Sequence, residues 1–118
     1  MSFRSSAKEA KKSSFKQHRL GAVIVKGGRI LSTGFNQLRY TKELKRPTLH
    51  AEEDAILKLL KERRLHDLSG AEIFVTRFTK AGATGMARPC DTCMALIRSV
   101  GIHTMHFTTD GNTISEKV

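Results

Sequence analysis

Only two cysteines, Cys90 and Cys93, occur in the 118 residues. Two thiols in one C-x-x-C cannot supply the disulfide framework of a small secreted domain. In a reducing compartment the pair reads as a metal site or a redox motif. No run of 18 apolar residues exists, so no membrane helix is expected. The first 20 residues, "MSFRSSAKEAKKSSFKQHRL", lack the apolar core of a secretory signal. They are basic and serine-rich, as transit peptides are, but Glu9 and the direct run into a strand argue for ordinary structure. An intracellular, cytoplasmic protein without a membrane partner is the expectation. Aromatics are scarce too: no tryptophan and one tyrosine, Tyr40. Acids are outnumbered, with 11 Asp+Glu against 21 Lys+Arg and a formal charge of +10. Such a balance favours polyanionic partners.

The length suits one domain over residues 1–118, with residues 1–19 as a basic N-terminal helix or arm. Two β-branched runs flank Gly27-Gly28 in "LGAVIVKGGRILSTGF" and predict a hairpin. "NQLRYTKELKRPT" reads as a polar, basic loop. From His50 to about Leu65, Ala51, Ala55, Ile56, Leu59 and Leu60 fall at helical spacing, with acids in the first turn and bases in the last. "EIFVTRF" is a strand, and "TKAGATGMA" a glycine-containing loop. Pro89 opens a second such helix with an apolar stripe of Met94, Ala95, Ile97 and Val100. "IHTMHF" and "NTISEKV" are strands joined through Asp110-Gly111. The order α, β, β, α, β, α, β, β predicts an α/β three-layer α-β-α arrangement on a five-stranded mixed sheet. The link between the last two strands is too short for a parallel crossover, so they are predicted antiparallel.

Cys90 and Cys93, at i and i+3 of a helix start, share a face, and a helix N-terminus favours the thiolate. A second C-x-x-C is absent, so a four-cysteine structural site cannot form within one chain. A thioredoxin-like motif belongs after a first βαβ strand, and this one sits late. The pair therefore needs further ligands. Of the five histidines, His50 also starts a helix. His103 and His106 are an odd number apart along a strand and face opposite sides. His18 is expected to be exposed, within reach of a ligand from its loop. His50, Cys90 and Cys93 leave a fourth position open, the pattern of catalytic zinc. Glu52, two residues after His50, is the candidate acid–base group. On an ideal helix i and i+2 diverge, but they converge on a metal that lies beyond the helix end. Glu53 and Asp54 read as first-turn acids that suit the helix dipole.

His50-Ala51-Glu52 with Pro89-Cys90-Asp91-Thr92-Cys93 resembles the H-x-E…P-C-x-x-C signature of zinc-dependent nucleobase deaminases of the cytidine deaminase-like superfamily. The resemblance covers roughly residues 20–117 and implies the cytidine deaminase-like fold. It implies Zn2+ on His50, Cys90 and Cys93, and Glu52 as the proton carrier. It places Asn36 against sugar and base, and the Ala51 backbone at the base edge. Arg88, Phe35 and Tyr40 join them as substrate-binding candidates. Arg88 stands where tRNA adenosine deaminases typically have glutamate, and those enzymes continue past the cysteine helix with a further crossover. The antiparallel last pair resembles the cytosine branch. The expected activity is hydrolytic conversion of cytosine to uracil in single-stranded nucleic acid. Alternatives are a free cytidine or deoxycytidine nucleotide or nucleoside deaminase, a tRNA-type adenine deaminase, and a non-catalytic zinc-bearing module that binds nucleic acid. The expected partner is a cytosine-containing nucleic acid or nucleotide, and the domain is small enough to pair as a homo-oligomer. Basic residues gather near the predicted mouth (Arg39, Lys42, Lys45, Arg46, Arg77, Lys80, Arg88) and in the N-terminal segment (Arg4, Lys8, Lys11, Lys12, Lys16, Arg19).

Overall fold

The computed structural model describes residues 2–13, 15, 18–41, 46–62 and 68–118, with the backbone only at 2, 39–41, 46 and 47. Strand β1 (His18–Lys26) turns at Gly27-Gly28 into β2 (Arg29–Phe35). Both glycines have positive φ, 57° and 78°, as the tight hairpin turn requires. β5 (Glu72–Thr79) pairs antiparallel with β1 and parallel with β7 (Thr104–Thr108). β8 (Thr113–Lys117) closes the order β2-β1-β5-β7-β8 and runs antiparallel to β7, as its short connection dictates. The five-stranded path is as expected. A two-residue strand, β6 (Thr84–Gly85), adds to β5 inside the segment read as loop.

Alternation along β1 separates the two faces of the sheet. Ala22 and Ile24 join Ile73 and Val75 of β5 in the main core. That core is covered by α2 (Ala51–Lys61) and α3 (Asp91–Ser99), which bring Ala55, Ile56, Leu59 and Ile97 to it. The opposite face carries α1 (Ser2–Ala10), tied to the sheet by the buried Ser6–Thr76 hydroxyl pair and by Phe3 edge-on to Phe74. The three layers are therefore α-β-α. Two glycines let the helices come this close. A Cβ on Gly21 would lie 2.1 Å from the Ser6 carbonyl oxygen, and one on Gly34 would lie 2.4 Å from that of Ala51.

Several expectations are corrected. The polar stretch 36–48 is not a plain loop: β3 (Gln37–Thr41) and β4 (Arg46–Leu49) form a two-stranded ribbon, anchored by buried Leu49. Residues 42–45, with Lys42 and Lys45, lie outside the described residues, as do Lys16 and residues 63–67, the expected last turn of the helix that begins at His50. Pro89 is not the first helical residue. Cys90 is the N-cap of α3, and Pro89 precedes it. Leu60 is 54% exposed rather than in the apolar stripe, because Leu59 already fills the buried face.

Candidate metal centre and active site

His50 and Cys90 occupy equivalent places. Each is the N-cap of its helix, with extended backbone angles, so each side chain projects ahead of the first turn. α2 and α3 present these ends to one another. The His50 Nδ1 lies 3.3 Å from the Cys93 Sγ and 3.8 Å from the Cys90 Sγ. The three ligand atoms all fall within 4.8 Å of one another. Tetrahedral bonds of ~2.0–2.3 Å to zinc set nitrogen and sulfur ligands ~3.3–3.8 Å apart. Two thiols and an imidazole are also the donor set zinc prefers. The residues fit that metal, and three ligands leave one tetrahedral position for another group.

Three consecutive acids follow His50, all buried. Glu53, at the third helical position, accepts the His50 backbone N–H at 2.9 Å, one arm of a capping box. Asp54 accepts the Phe35 backbone N–H at 3.1 Å and the Gln37 side-chain amide at 3.1 Å, and lies 3.4 Å from the Lys58 ammonium. These two acids fasten α2 to its own start and to the sheet. Glu52 is turned toward the metal ligands and accepts a hydrogen bond from Cys93. Burial pushes its carboxyl up to about 7. Its own backbone N–H pulls the other way, and the nearby Glu53 adds to the rise. Burial pushes the Cys93 thiol up as well, followed by the negative charge of Glu52. A coordinated cation reverses that balance and favours the thiolate.

These groups sit in a cavity of about 330 Å3. His50, Ala51, Glu52 and Cys90 form its metal side, and Asn36, Arg88 and His18 bring polar groups. Phe15, Leu20, Thr48 and Leu49 supply much of the rest. Asn36 is largely committed to the fold. Its Oδ1 accepts the Leu20 N–H at 2.9 Å, and its Nδ2 donates to the His18 carbonyl at 2.6 Å. The amide thus pins the start of β1 beside the cavity. Arg88 reaches the cavity while its Nε donates to Glu116 of β8 at 3.1 Å. His18 stands clear of the metal ligands. Its Nδ1 is 2.6 Å from an Arg77 guanidinium nitrogen. Arginine only donates, so Nδ1 accepts and Nε2 carries the proton.

Phe35 does not line the cavity. Strand alternation turns it to the face opposite Gly34 and Asn36. The Tyr40 side chain lies outside the described residues. Phe15 and the ribbon residues Thr48 and Leu49 escaped sequence reasoning, because which wall of a cavity a loop or short strand reaches is a long-range fact. His18 could have been found from its two-residue offset from Leu20, which puts both on the cavity face of β1.

The family described as "Cytidine and deoxycytidylate deaminase zinc-binding region" matches residues 2–109. The chain belongs to that family. A protein of Aliivibrio fischeri named as an uncharacterized deaminase in the luxG 3' region is 38% identical over 98 residues, 70% of this chain and 53% of its own length. The tRNA-specific adenosine deaminase of Aquifex aeolicus is 42% identical over 57 residues, 48% of this chain and 36% of its own. The chain thus spans about half the length of the first of these curated relatives and a smaller part of the second. Among solved structures, cytidine deaminase from Burkholderia pseudomallei superposes with a TM-score of 0.73 at 18% identity, covering 98% of this chain and 89% of that one. Apo dCMP deaminase from cyanophage S-TIM5 gives 0.70 at 24% identity, covering 92% and 79%. At such identities these two establish the fold of the deaminase family rather than a shared substrate.

Proposed function

We propose that the chain is a zinc-dependent hydrolytic deaminase that converts cytosine to uracil and releases ammonia, with single-stranded nucleic acid as its substrate. The observation that carries the deaminase reading is the buried Glu52 carboxylate, hydrogen-bonded to Cys93 at the floor of the cavity. A purely structural zinc site has no need of that acid, which argues against a non-catalytic module.

His50, Cys90 and Cys93 would hold the zinc, which when bound supplies a Lewis acid and an acidified water. Glu52 would take one proton from the attacking water and pass it to the ring nitrogen, then take the second from the new hydroxyl and pass it to the amino group, so that the carbonyl forms as the C–N bond breaks and ammonia leaves. Burial strengthens that carboxyl's hold on a proton, which suits a group that must both take and give one. The Ala51 backbone, at the first helical position of α2 and in the cavity wall, would meet the base edge. Leu20, Leu49 and Phe15 exclude water around the ring, and the His18 Nε2–H and Arg88 offer donors to a carbonyl or phosphate oxygen.

Cytosine is supported by the antiparallel β7–β8 pair and by the name of the matched family. The +10 charge and the cations at the rim, Arg77 and Arg88, support a polynucleotide. A free cytidine nucleotide is the second reading, favoured by a cavity whose volume suits one nucleoside. The tRNA-deaminase segment match favours adenine as a third. The discriminating experiment offers zinc-loaded protein a pool of cytidine, CMP, dCMP, adenosine and single-stranded DNA and RNA, read by mass spectrometry. Uracil in the oligonucleotides is the expected product. Turnover confined to a mononucleotide or to adenine would replace the substrate assignment.

A further inference from the structure

A second cavity, of about 400 Å3, lies on the α1 face at the end of the sheet where the metal centre sits on the other face. It is lined by Lys11, Arg19, Phe78, Thr79, Lys80 and Gly82. Strand register explains its place. His18 pairs with Thr79 and Arg19 with Phe78, so consecutive residues of β1 point into different cavities, His18 into the first and Arg19 into the second.

Three cations converge here, and none of Lys11, Arg19 and Lys80 forms an ion pair among the described residues. The Arg19 Nε is shielded from solvent and has no hydrogen-bond acceptor. Buried donors without partners are rare in native proteins, and one among three like charges points to an anion. Phe78 adds a ring at half-buried depth. Cations beside an aromatic face are the elements of a single-strand site, in which bases are stacked and phosphates are neutralised.

We infer that this second cavity holds the phosphodiester backbone of a polynucleotide whose target base enters the metal-centre cavity. The inference rests on the deaminase reading for the reason a polynucleotide visits that cavity. The strand would pass around the end of β1 and β5, over the His18–Arg77 pair. A free nucleotide in the first cavity leaves the second unused.

The test is binding of a short fluorescein-labelled single-stranded RNA, and of the DNA of the same sequence, to the zinc-loaded protein by anisotropy over a salt series. The variant Lys11→Gln/Lys80→Gln changes two exposed side chains. Arg29→Gln/Arg98→Gln makes the same charge change away from the cavity, and thermal melts check that both fold. The Lys11/Lys80 variant is expected to bind about tenfold more weakly at low salt, with the slope of log K against log salt reduced by about 1.4, two phosphate contacts of a single strand. The Arg29/Arg98 variant is expected to retain most of the affinity. Equal loss in both variants, or no loss in either, overturns the inference. So does failure of the unmodified protein to bind either strand, or full displacement by inorganic pyrophosphate, which would mark a site for a compact anion. Deamination of a free nucleoside is assayed separately, so failure here leaves the deaminase reading standing, and the reverse.

Discussion

Glu52, Glu53 and Asp54 are neighbours in sequence with the same chemistry, yet one faces the metal ligands, one caps its own helix and one clamps the sheet. The helical turn of ~100° per residue separates them. Substituting them should separate the effects. Glu52→Ala is expected to keep zinc at full stoichiometry and lose at least ~10²–10⁴-fold in kcat. Metal analysis beside a turnover assay checks both halves, and activity near that of the parent would sink the assigned role. Cys93→Ala is expected to lose zinc, since it removes one of three ligands and the buried one. Full zinc occupancy in that variant would remove Cys93 from the ligand set. Asn36→Ala distinguishes two roles for one residue. The amide holds the His18 carbonyl and the Leu20 N–H, so its loss should cost ~1–3 kcal/mol, seen as a lower Tm, along with a raised KM. An unchanged Tm with raised KM would mean that Asn36 acts on substrate alone. His50, Glu52 and the cysteine pair were legible in the sequence because each motif is short and stands at a helix start. The fate of Asn36 was not, because its partners lie 16 and 18 residues away on a strand whose register the sequence leaves open.

Two helix N-termini, not two helices, make the site. His50 and Cys90 are N-caps, so the ligands reach beyond the helix ends, and the i, i+2 pair His50–Glu52 converges where an interior helix would splay it. That geometry depends on how closely α2 lies on β2. A methyl on Gly34 would meet the Ala51 carbonyl oxygen at 2.4 Å and the Ala55 nitrogen at 2.5 Å, both backbone atoms that cannot swing aside. Gly34→Ala is therefore expected to lift α2 off the sheet and displace His50 and Glu52 together. The cost is about 1–3 kcal/mol or more, roughly 4 °C of Tm per kcal/mol, with weaker zinc retention. An alanine variant with parental Tm and zinc affinity would show that the helix tolerates the shift. The helices, the Gly27-Gly28 hairpin and the antiparallel β7–β8 pair followed from spacing and loop length. The β3–β4 ribbon did not. Its strands, QLRYT and RPTL, are mostly polar, Leu38 is exposed, and buried Leu49 alone is too weak an apolar signal to mark a strand.

At the scale of the molecule, the metal ligands join two helices that cover one face of a single sheet, so zinc binding and folding are linked. A ligand that binds the folded state and not the unfolded one raises stability with its concentration. Chelation is expected to lower the Tm by several degrees and zinc to restore it, while calcium or magnesium, which prefer oxygen donors, do not. A Tm indifferent to chelator, in protein shown to have carried zinc, would uncouple the site from the fold. The formal charge of +10 is likewise a property of the whole molecule, and Lys11, Arg19, Lys80 and Arg88 bring part of it to the two cavities. In the proposed chemistry, Glu52 beside a His50/Cys90/Cys93 zinc site deaminates a base. The most direct test compares zinc-loaded parent and Glu52→Ala proteins, matched in zinc content, for conversion of cytosine to uracil in single-stranded oligonucleotides and free nucleotides by mass spectrometry. Uracil with the parent and none with the variant is the expected result. Equal conversion by both, or no conversion of any amino-bearing base by fully zinc-loaded parent, would contradict it.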